Sequence, residues 1–200
     1  MTYLGIFIII VCILSCLRKK QTRKQEAVED AFWQREYQAN HSPRQDISGL
    51  PYITIPLDKF PIGNFENEEL KENENVLLSL SDKKILNLGS QSNTDLKLKY
   101  GVSNLSTLME CDENFAILCR TLSSYAEALI RLNHSADAQT VLEFGISCGS
   151  DYVQNYMLLA RLYLDAGDTE HMDRLITDAS QLDSPQKAVI QQQLLKLRQG

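Results

Sequence analysis

Apolar and polar positions follow three regimes along this chain. Residues 3–17, YLGIFIIIVCILSCL, carry no charge and run straight into RKKQTRK. From about residue 113 onward, apolar residues recur at the three- and four-residue spacing of amphipathic helices. Leu122, Tyr125, Ala126, Leu129 and Leu132 form one stripe, and Tyr156, Leu159, Ala160, Tyr163 and Leu164 form another. Polar breaks at NHSAD, GSD, AGD and LDSP divide helix from helix. Between these regimes the pattern is mixed. EAVEDAFWQREYQAN predicts a helix with Val28, Phe32 and Trp33 on one face, ended by HSPRQDISG. LPYITIPL alternates Ile53, Ile55 and Leu57, but its two prolines favour an extended segment over a paired strand. NEELKENENVLLSL reads as a short acidic helix. Beyond it, Asn93 or Thr94 is expected to cap a helix and Gly101 to stop it.

Charge gives the first run a meaning. Fifteen helical residues cover about 22 Å of a hydrocarbon layer about 30 Å thick, and snorkelling by Arg18 and Lys19 makes up the difference. A cleaved signal peptide needs a basic segment before its apolar run, and only Met-Thr stands there. Attachment as a lipoprotein through Cys16 lacks the same charge. The flanking bases Arg18, Lys19, Lys20, Arg23 and Lys24 all follow the run. By the positive-inside rule, residues 1–18 are then expected to be a transmembrane anchor in the inner (plasma) membrane. The amino terminus would lie outside and residues 18–200 in the cytoplasm.

The chain carries a net charge of −6, and without the basic segment it holds 15 bases against 26 acids. That balance excludes a dedicated nucleic-acid binder, which needs a basic face. With 9 Gly, 5 Pro and 23% charged residues, collagen-like and globally disordered chains are excluded too. The cysteines Cys12, Cys16, Cys111, Cys119 and Cys148 have no C-x-x-C spacing, and His41, His134 and His171 are scattered. No metal site, cofactor or catalytic residue is expected. The Gly89, Asn93, Thr94, Asp95 and Gly101 stretch holds no phosphate-loop lysine and no G-x-G-x-x-G.

The carboxyl half repeats. An offset of 34 carries Ala126 to Ala160, Leu129 to Tyr163, Asn133 to Gly167 and Ala138 to Met172. It also carries Leu142 to Ile176, Gly145 to Ala179 and Ser150 to Ser184. This period, with Leu159-Ala160, Tyr163, Gly167-Asp168 and Ala179 in residues 155–185, resembles the tetratricopeptide repeat. Small residues let paired helices approach, Gly167 closes the first helix in the left-handed region, and Asp168 caps the second. The copy at residues 121–151 departs from the pattern, with Asn133 for the turn glycine, Leu129 for the aromatic and Gly145 for the second alanine. The tail SPQKAVIQQQLLKLR reads as a solvating end helix packed through Val189, Ile190, Leu194 and Leu197.

The expected fold class is therefore mainly α: one transmembrane helix, an irregular cap, and a tetratricopeptide-like α-α repeat domain. The expected divisions are 1–18 anchor, 19–49 basic segment and helix, 50–112 cap and 113–200 repeats. The resemblance implies a concave groove for a protein or peptide partner, with Arg120, Ser123, Glu127, Gln154, Met157, Arg161 and Asp165 facing it. Ser123 and Glu127 stand where the family's carboxylate clamp has Lys and Asn, so capture of a carboxyl terminus is not expected. Arg161 and Met157 suit a peptide with apolar and acidic groups. The function so implied is a membrane-tethered interaction module without catalytic activity, small-molecule substrate or nucleic-acid partner. A permanent subunit of a membrane or envelope complex is the alternative. A groove filled by the chain's own residues 50–57 is a further expectation.

Overall fold

A computed structural model describes residues 25–199. Eight helices follow one another: α1 (25–40), α2 (Glu68–Ser81), α3 (Asn93–Tyr100), α4 (Leu105–Arg131), α5 (Ser135–Ser147), α6 (Val153–Asp165), α7 (Thr169–Gln181) and α8 (Lys187–Gln199). The chain divides into two units, one built from residues up to 46 together with 92–105, the other from 47–91 and 106–200.

The mainly helical character stands, but the expected fold class needs correction in its first element. No helix among the described residues is long and apolar enough to cross a membrane. The longest, α4, carries Glu110, Asp112, Glu113, Arg120 and Glu127 along its length, which no hydrocarbon layer accommodates. The run assigned to the anchor, residues 1–18, and the bases Arg18 to Lys24 lie outside the described residues.

In the first unit, α1 and α3 are tied by side chains. Lys97 Nζ donates to Glu36 Oε2 at 3.2 Å and to Asn40 Oδ1 at 2.9 Å, and the Thr94 hydroxyl donates to Glu36 as well. The Thr94 hydrogen bond, with Lys97 behind it, holds the Glu36 carboxyl below its usual range. Ser92, rather than Asn93 or Thr94, caps α3, in a reciprocal box with Asp95. Gly101 ends α3 as expected, at φ +87°, against the backbone of Pro43 and Arg44. The face expected on α1 stays open: Val28, Phe32, Trp33 and Tyr37 are 54–70% exposed.

The second unit owns the main core. α2 buries Leu70, Leu77 and Leu80 on one face, and α4 buries Leu118, Leu122, Tyr125 and Leu129. The buried Glu74 joins them: its Oε1 accepts the Tyr125 hydroxyl at 3.0 Å and its Oε2 accepts Gly63 N–H at 3.1 Å. α4 starts at Leu105, well before residue 113, because Leu108, Cys111, Phe115 and Leu118 already keep helical spacing on a buried face. α6 packs against α5, α7 and α8, and the fully buried Ala160 and Ala179 permit close approach. α8 buries Ile190 and Leu194 and half-buries Leu197, whereas Val189 faces water. Residues 50–57 lie extended on this core, with Ile55 buried and Ile53 N–H donating to Ile85 C=O at 2.9 Å.

The 34-residue offset extends to the backbone. Asn133 and Gly167 take φ +63° and +69°. Each sits in the same pair of reverse hydrogen bonds, His134 N–H to Leu129 C=O and Asn133 N–H to Ile130 C=O, then Asp168 N–H to Tyr163 C=O and Gly167 N–H to Leu164 C=O. This is the Schellman ending, and Gly149 at φ +76° closes α5 in the same way. Asp168 caps α7 by accepting His171 N–H at 3.0 Å.

Candidate functional site

A cleft of about 840 Å³ opens in the second unit, between the irregular segment before α3 and helices α4 to α7. One wall is residues 87–89, which sequence patterning does not mark as part of any site except through Gly89. Local bonding explains why they stay there. Asn87 Nδ2 donates to the carbonyls of Cys148 (3.2 Å) and Gly149 (2.9 Å), and its Oδ1 accepts Gly89 N–H at 2.9 Å. Leu86 N–H donates to Cys111 C=O at 3.2 Å, and Leu88 N–H to Asp112 Oδ1 at 3.2 Å. Every peptide group so used locks an irregular stretch onto α4 and the end of α5.

The floor is aromatic and aliphatic. Phe115 from α4, Tyr156 and Leu159 from α6 and Leu175 from α7 are all at least nine-tenths buried. Tyr163, seven residues after Tyr156 and on the same helical face, donates its hydroxyl to Glu143 Oε1 at 2.9 Å. Burial, aided by that carboxylate, pushes its hydroxyl well above the usual phenol range. Tyr156 is shifted upward too, by burial first and then by the Asp178 and Asp151 carboxylates. Cys119, also on the floor, is pushed up to about 12 by burial, which keeps it a thiol.

The rim is charged, and unevenly so. Asp112, Glu143, Asp151, Asp178 and Asp183 line the cleft against the cations Arg120 and Arg174. Most of these groups are committed. Asp183 Oδ2 accepts the Ser90 hydroxyl at 2.8 Å, Asp151 Oδ2 accepts the Ser184 hydroxyl at 2.6 Å, and Arg174 pairs with Glu170. His171 turns its Nδ1 to Asp168 Oδ2 at 2.6 Å and lays its ring near Tyr163. Asp178 makes no hydrogen bond or ion pair among the described residues. Among the described residues no three His, Cys, Asp or Glu side chains gather in a metal-binding group.

Of the seven groove residues expected from sequence, Arg120 lines this cleft. Ser123 and Met157 are buried, and Glu127, Gln154, Arg161 and Asp165 are exposed, all six outside the cleft lining. Residues 50–57 are not among the residues that line this cleft. Tyr156, Asp151, Asp178 and Asn87 are the residues that sequence reasoning missed. Tyr156 and Tyr163 were legible only as core positions, and Asn87 acts through contacts some 60 residues away in the chain. Comparison with protein-family models, with curated proteins and with solved structures gives no match.

Proposed function

We propose that this protein is a non-catalytic interaction module, whose α4–α8 region is a tetratricopeptide-like pair of repeats that holds a segment of a protein partner. The observation that carries the reading is the cleft: an aromatic floor with a charged rim, walled by the paired helices and open to solvent. Such floors and rims suit recognition of an extended segment, in which a few anchors supply most of the affinity. The recurrence of one helix ending at Asn133 and Gly167, a repeat apart, supports the likeness to the tetratricopeptide family.

A photocrosslinking amino acid at Gln181, an exposed cleft residue, tests this in cells against the same probe at the exposed Gln192 on α8. The expected result is a discrete adduct from position 181 alone, lost when Ala116→Trp fills the cleft. Equal adducts from both positions, or an adduct indifferent to Ala116→Trp, would overturn the reading. A permanent subunit of a larger complex is the second reading, favoured by the uncovered Val28, Phe32, Trp33 and Tyr37 on α1. In that case the purified chain self-associates, and Trp33→Ser with Phe32→Ser restores a monomer.

A further inference from the structure

We draw no further inference here: the strongest candidate, the open apolar face of Val28, Phe32, Trp33 and Tyr37 on α1, is unpartnered, and nothing in the structure shows what covers it.

Discussion

The turn between α5 and α6 and the wall opposite it are held by one side chain, and this makes a coupling measurable. Asn87 supplies three hydrogen bonds to the turn and to its own segment. At about 0.5–1 kcal/mol net for each half-exposed bond, Asn87→Ala should cost ~2 kcal/mol. Gly149 sits at φ +76°, and a Cβ added there would lie 2.9 Å from Asn87 Nδ2. Gly149→Ala therefore carries two penalties. The left-handed backbone costs about 1 kcal/mol, and the displaced amide forfeits up to the same ~2 kcal/mol that Asn87→Ala removes. Once Asn87 is alanine, only the backbone penalty is left. The single variants should lose ~2 and ~3 kcal/mol, and the double variant ~3 rather than ~5. Urea denaturation followed by far-ultraviolet circular dichroism gives all three values, with the slope of the transition checked for constancy. A double variant that loses the sum to within about 0.5 kcal/mol would show that the contact does not couple the two sites, and the reasoning fails.

Other expectations follow from the same description. Gly101→Ala should be among the worst single changes, about 3 kcal/mol or more, because its Cβ would meet Pro43 O at 2.4 Å at φ +87°. Limited proteolysis within residues 41–46 reads it out, and an unchanged cleavage rate would contradict it. Asp168 is held below its usual 3.8 mainly by the His171 backbone hydrogen bond, so its contribution is present above that value and drains away as pH falls through the lowered one. Asp168→Asn keeps a cap without the charge, so the gap in melting temperature between wild type and variant should close on acidification. A gap that widens below pH ~3.8 reverses the sign and refutes the assignment. In a chain with Cys12 and Cys16 replaced by serine, a thiol reagent should modify half-buried Cys148 before Cys119. Cys119 is 4% exposed and raised to about 12. Mass mapping that finds Cys119 first would sink this.

Local chemistry is what the sequence exposes well. Gly101, Gly167 and Asp168 act as their residue types dictate, and Asn133 takes the left-handed turn position that its place 34 residues before Gly167 implies. Ser92 displaced Asn93 and Thr94 as the cap because the reciprocal partner Asp95 stands three residues on, a signal that was present in S-N-T-D. The cleft was less legible. A family register places Ser123 and Met157 on a groove, but burial depends on what packs above each helix, and both are covered here. The wall at residues 87–89 has neither periodicity nor a motif. It is set by hydrogen bonds to Asp112, Cys148 and Gly149, whose nearness no local pattern encodes.

The division of the chain into interleaved units has a bearing on how it is made. Residues up to 46 belong with 92–105, while 47–91 belong elsewhere. During synthesis at ~5–20 residues per second, α1 waits roughly 3–11 s after its own completion before Lys97 of α3 is added to the chain. Throughout that interval Glu36 lacks Lys97 and Thr94, and the aromatic face of Phe32, Trp33 and Tyr37 has no folded neighbour from its own unit. Neither unit corresponds to one continuous stretch of coding sequence. A cut anywhere between residues 47 and 91 therefore parts α1 from α3, and shuffling by simple fusion cannot transplant either unit whole.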